Sequence, residues 1–204
     1  MTRDWVGFVL LFFLGVLLAV GGYFFFASPN TGVLDNYQYS NGETVFDVQK
    51  VNEIETYITL LVGLPSQHKY TIALRNDPAS LEYIPVYGTL NTRIFNDEDD
   101  YITINPYANL TAKTTIAALE IDKIIDNSRL YGVPVHSAMT EPYEDYPVKT
   151  CRDGTDTSTI IYLSLGSETT VYTENNCIII VGTDEDELIR AADRFVYTLL
   201  GVMQ

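Results

Sequence analysis

Basic residues are scarce in this chain of 204 residues: 12 Lys and Arg stand against 27 Asp and Glu, for a formal net charge of −15. A surface of that sign repels nucleic acid and anionic lipid, and no basic patch or base-stacking motif argues otherwise. Histidine occurs only as His68 and His136, and cysteine only as Cys151 and Cys177. Residues so few and so scattered lack the spacing of a zinc site. No Gly-x-Ser-x-Gly, P-loop or dinucleotide fingerprint is present, and "LSLGSE" has the wrong spacing for a nucleophile elbow. No internal repeat at a period of about 20–50 residues is visible.

Charge is missing altogether from one long run. Residues 5–26, "WVGFVLLFFLGVLLAVGGYFFF", are 22 positions without an ionisable acid or base. As a helix the run is roughly 33 Å long, enough for a bilayer core of about 30 Å. A cleaved signal peptide has a shorter apolar region, about 7–15 residues, and small residues after it; this run ends in Tyr-Phe-Phe-Phe. The expectation is an uncleaved signal-anchor, a single-pass transmembrane helix touching the lipid bilayer through residues 5–26. Trp5 and Tyr23 lie near its ends, where aromatic belts sit. Gly15 and Ala19 have the small-xxx-small spacing that can seat a partner helix. Arg3 precedes the run and no Lys or Arg follows until Lys50. The positive-inside rule then places the N-terminus in the cytoplasm and the C-terminal domain outside the cell membrane.

The remainder divides in two. Residues 27–44, rich in Asn, Gly, Ser and Pro, read as a stalk and linker. Residues 45–204 read as one extracytoplasmic domain, long enough for a real core. Strands are expected at 45–51, 56–62, 69–75, 101–106, 133–139, 158–165, 169–173 and 177–182, from alternation or short apolar runs. A helix is expected over residues 114–130, with Ala117, Ile121, Ile124, Ile125 and Ser128 on one face. A second is marked by Leu188, Ile189, Ala192, Phe195, Val196, Leu199 and Leu200. Asp184 and Glu187 stand at capping-box spacing at its start, and Gly201 follows its end. The predicted class is α+β: a mixed, largely antiparallel sheet with two main helices packed on it.

Three blocks carry a likeness: "LRNDPASLEYIPV" at 74–86, "ITINPYANLTAKTTIAALEIDKII" at 102–125 and "NNCIIIVGTDEDELIRAADRFVYTLLGVM" at 175–203. Together they resemble a family of small single-pass membrane-anchored archaeal surface proteins. Its members carry an Arg-x-Asp-Pro turn, an Asn-Leu-Thr-Ala-Lys-like helix start and a Thr-Cys-x-Asp loop. Their C-terminus has an Asn-Cys-Ile…Ala-Ala-Asp-Arg…Leu-Gly block. The likeness spans roughly residues 56–203, and the last block is its most specific part. It implies a surface-facing domain behind one N-terminal helix and transfers no catalytic residue.

The candidate sites are few. Two cysteines in an external domain favour a disulfide, Cys151 to Cys177, because nothing outside keeps thiols reduced. A reactive Cys151 would need a base, and "KTCRDGTDTS" supplies Arg152 but no histidine. Asp153 and Asp156, with Thr155 and Thr157, form a weak Ca2+ candidate, since hard cations want about six or more oxygens and the loop has no EF-hand spacing. A second acidic run at residues 96–100 is similar, and the simpler reading of both is a solvated loop. Asn109 begins the sequon Asn-Leu-Thr and is the glycosylation candidate. Asp193 and Arg194 read as a charged helix face, or as fixed contacts with a neighbouring loop.

The motifs point to no catalytic constellation. The leading expectation is a binding or structural module of the cell envelope, contacting another envelope protein or itself. A second reading is an extracytoplasmic enzyme or solute-binding or metal-binding domain. It would use acidic loops, "NDEDD", "EPYED" and "RDGTD", gathered on one cleft. A third is a pilin-like filament subunit, which also begins with an apolar helix; no processing site precedes Trp5.

Overall fold

Alternation of apolar and polar side chains builds the first sheet. In the computed structural model, residues 34–63, 67–88, 90, 94 and 97–204 are described. Strands β1 (Asp35–Ser40), β2 (Val45–Asn52), β3 (Glu55–Val62) and β4 (His68–Leu74) form an antiparallel meander in that order. Phe46, Val48, Ile58, Leu60, Ile72 and Leu74 point one way and are buried. The residues between them face out, as a period of two requires. Asp35 to Ser40 falls in the segment read as linker. It is instead a strand, paired from Asp35 with Lys50 to Ser40 with Val45. Its buried-side Tyr37 and Tyr39 pack on the core, and the polar residues between them disguised the pattern.

The second sheet has six strands: β5 (Val86–Tyr87), β6 (Asp100–Ile104), β7 (Val135–Met139), β8 (Ile160–Leu165), β9 (Thr170–Glu174) and β10 (Cys177–Gly182). Their order is β5-β9-β10-β8-β6-β7. Four neighbours, β10, β8, β6 and β7, run parallel, and β9 runs antiparallel to β10. The expected single, largely antiparallel sheet is therefore two sheets, one antiparallel and one with a parallel centre. The runs "IIYLSL" and "CIIIVG" already carry the reason, since strands covered on both faces lose their alternation. Strand β10 lies between β8 and β9, although β9 follows β8 in the chain.

Two helices complete the fold, α1 (Ala112–Ile125) and α2 (Glu185–Leu199). One apolar core joins the inner faces of both sheets to Ala117, Ile121, Ile124 and Ile125 of α1 and to most of α2. Helix α1 crosses from β6 to its parallel neighbour β7. It stops at Asp126, short of the expected residue 130. There Asn127 turns the chain, accepting from Leu130 and Gly132, with Gly132 at φ +65°. Ser128 is consequently exposed, and Glu120 is buried in its place. Helix α2 begins as its sequence predicts: Asp184 caps it by accepting from the Glu187 N–H at 2.9 Å. Gly182 lets β10 turn into α2, because a Cβ there would lie 2.3 Å from Leu188 N. Among the described residues no helix is long and apolar enough to cross a membrane. The apolar run of residues 5–26 lies outside them.

Candidate functional site

The disulfide end comes first, because the sequence marks it. Thr150 caps a short 3-10 turn, Cys151–Asp153, and Asp153 closes it by accepting from the Thr150 N–H at 2.7 Å and its hydroxyl at 2.8 Å. This places Cys151 against the start of β10, where it is bonded to Cys177 with a Cα–Cα distance of 5.0 Å. Closing a loop of this length stabilises the fold by about 3 kcal/mol through the unfolded chain. Gly154 sits so near the β9–β10 turn that a Cβ would lie 2.3 Å from the Asn176 carbonyl oxygen. Below the bond lies a second, small cluster of Ile160, Cys177 and Ile179, flanked by Tyr101, Tyr162 and Tyr172. Cys151 is a staple, and the reactive-thiol alternative falls.

Asp153 is engaged within that turn. The Thr150 N–H and hydroxyl hold its carboxyl below the usual range. Asp156 stands exposed beside it. Among the described residues no group of three or more His, Cys, Asp or Glu is arranged to hold a metal ion.

The acidic loops converge only in part. Residues 97–100 meet the disulfide loop: Glu98 N–H donates to Thr157 O at 2.8 Å, and Thr159 donates its N–H to Asp100 and its hydroxyl to Asp97, at 2.8 and 2.6 Å. Asp100 is fully buried. Burial, then the Asp97 carboxyl beside it, pushes its pKa up to about 8 against the Thr159 N–H. Loop 140–147 lies at the other end of β7, where Tyr107 and Tyr143 meet edge-on at 6.3 Å. Among the described residues the 140–147 loop does not join the other two.

A polar centre that the motifs did not reveal lies under α2. Asp193 is fully buried and accepts from the Asn76 N–H and side-chain amide, both at 2.8 Å, while Tyr197 donates to Asn76 O at 2.8 Å. Next in chain, Asp77 accepts from the Tyr37 hydroxyl at 3.0 Å and pairs with Lys50 at 3.6 Å. Arg194 points elsewhere, donating to Ile84 O, Thr198 Oγ1 and Gln204 O. So Asp193 and Arg194 fix the loop at residues 76–84, as one of their two readings expected. The signal was Asp193 itself, at i+4 from Ile189 on a stripe otherwise apolar. Burial, then the charge of Glu120, pushes its pKa up to about 7 against the Asn76 donors.

In front of Glu120 opens a hollow of about 260 Å³, between the β2–β3 turn, the end of β4 and α1. Its charged walls are Glu55, Arg75, Glu120 and Lys123. A larger hollow, about 420 Å³, lies over the outer face of β1–β4. Asn36, Gln38, Gln49, Tyr57, Thr59 and Thr71 line it, with Asp47 its one charged described residue.

The other sequence candidates are ordinary surface positions. Asn109 is exposed at φ +55°, in the turn before α1. His68 opens β4, and His136 lies on β7 with its ring 5.4 Å from that of Tyr101. No protein-family model, curated protein or solved structure matches the chain.

Proposed function

We propose that the chain is a binding module of a cell envelope: the apolar run of residues 5–26 anchors it, and the α+β domain works outside the membrane by contact. The observation that carries this reading is the outer face of β1–β4. In a chain with more than two acids for each base, the described lining of that hollow is amides, hydroxyls, two tyrosines and Val48, with Asp47 its one charged residue. Side chains there are already spaced for polar contact, as in Gln38 donating to Asp47 at 3.3 Å and Thr59 meeting Thr71 at 3.2 Å. A hydrogen-bonding face of four strands with one carboxylate suits a protein surface, because little charge is desolvated on docking. The partner is another envelope protein or a second copy of the chain.

Cysteine labelling tests this. Gln49→Cys and Thr71→Cys are made in the full chain, with Asp156→Cys as a control at the far loop. Labelling of the first two is expected to fall severalfold in native membranes relative to the purified protein, with the control unchanged. Equal labelling in both settings refutes the assignment of this face.

A further inference from the structure

Beyond that reading, we infer that the hollow between the end of β4 and α1 is a site for a small zwitterion, an α-amino acid with a short side chain. Arg75 leads to it. It is half-buried and lines the hollow, and among the described residues it has no ion pair and no ring contact. The other described cations that are not fully exposed are all engaged. Lys50 pairs with Asp77, Arg190 with Glu187, Lys149 lies over the Tyr101 ring at 4.2 Å, and Arg194 reaches three oxygens. A guanidinium cannot shed its proton, and its fork matches the two oxygens of a carboxylate. In so acidic a domain, a sheltered arginine left without a carboxylate is an acceptor site in waiting.

The opposite wall decides what else the ligand carries. Glu120, nearly buried, is paired with Lys123, and Glu55 accepts from the Asn52 amide at 3.1 Å and the Tyr57 hydroxyl at 2.7 Å. With Lys123 answering Glu120, Glu55 disfavours a bare anion and Arg75 disfavours a bare cation. A ligand with a carboxylate at one end and an ammonium at the other satisfies both walls. Ile54 and Ala73 supply a small apolar surface between them. The space, about 260 Å³, is open to solvent on one side, so it seats the two charged ends of the ligand and leaves a short side chain at its mouth.

Calorimetric titration of the full chain in detergent, with glycine, L-alanine and L-serine as probes up to about 50 mM, decides the matter. At least one should bind with one-to-one stoichiometry and raise Tm. Acetate and methylammonium, each carrying half of the charge pattern, should bind at least about tenfold more weakly. Arg75→Gln should weaken the amino acid by about tenfold or more, and Glu55→Gln should also weaken it. Arg75 makes no pair, so its variant should keep the ligand-free Tm, and a retained Tm with lost binding separates recognition from folding. No binding by any of the three overturns the inference. So does acetate binding as tightly as alanine, or an Arg75→Gln protein that binds unchanged. Arg75→Gln leaves the residues that line the hollow over β1–β4 unchanged, so its loss of amino-acid binding is separate from the docking face; Glu55→Gln removes a charge that accepts from Tyr57 of that face and is read only alongside it.

Discussion

Asp100 shows how one residue couples the fold to pH. Its carboxyl is fully buried, hydrogen-bonded through Oδ1 to the Thr159 N–H, with Oδ2 lacking a conventional donor and Asp97 beside it. Two carboxyls so placed are comfortable when they share a proton and strained when both are charged. The folded state therefore holds a proton that the unfolded chain has released between 3.8 and about 8. Stability from this group is complete below 3.8 and is lost as the pH rises through about 8. Asp193, pushed up to about 7, acts with the same sign. Thermal melts should show Tm falling from about pH 5 to about pH 8. Asp100→Asn, which keeps the shape and a donor toward Asp97, should flatten that slope. An unchanged slope in the variant would remove Asp100 as its source.

Among the elements, the two helix starts hold each other. Glu185, in the first turn of α2, accepts from the N–H and hydroxyl of both Thr111 and Thr114, at 2.6–3.2 Å, and so caps α1 from outside. Burial works against its charge, but these donors outweigh it and hold its carboxyl below the usual range. Glu185→Ala should cost about 1–2 kcal/mol in urea denaturation and speed amide exchange in the first turn of α1. Breaking the exposed Lys113–Asp186 pair next to it should move the urea midpoint less than Glu185→Ala does, because solvent and salt screen the pair.

The elements also show where sequence reading works. Helix α2 announces itself, because cap, apolar spacing and terminal glycine agree over one continuous segment. Strands β3, β4, β8 and β10 do so for similar local reasons. Sheet order does not, since whether β10 pairs with β8 or only with β9 depends on which apolar faces meet across the fold. The site divides the same way. The cysteine count and compartment pointed to Cys151 and Cys177. Arg75, Glu120 and Asp193 share one region of space but lie on β4, α1 and α2, and no spacing in the chain joins them. Residues 36, 38, 49, 57, 59 and 71 look like ordinary outward positions until four strands set them side by side.

At the scale of the molecule, the charge of −15 is a diffuse load. Among the described residues only Lys50, Lys113, Lys123 and Arg190 are ion-paired, and acids outnumber bases by more than two to one, so the surplus acids repel one another through solvent. Adding salt, from about 10 mM to about 0.3 M, shortens the screening length from roughly 30 Å to below 10 Å. Tm is expected to rise by a few degrees over that range in a neutral sodium chloride series. A fall would mean that the few ion pairs outweigh the general repulsion.

The position of β1 bears on how the domain takes a load. It is an edge strand whose only sheet partner is β2, and it is the first described strand in the chain. Pulled away from the sheet, it peels one pair at a time, starting from Asp35 and Lys50, and then gives up the Tyr37–Asp77 bond and the core contacts of Tyr37 and Tyr39. Farther along, the Cys151–Cys177 bond acts as a stop. It closes a separation of 26 residues, so roughly 90 Å of chain contour stays hidden from any extension until the bond is reduced. Reduction would therefore lengthen the fully extended chain by that amount and by nothing else.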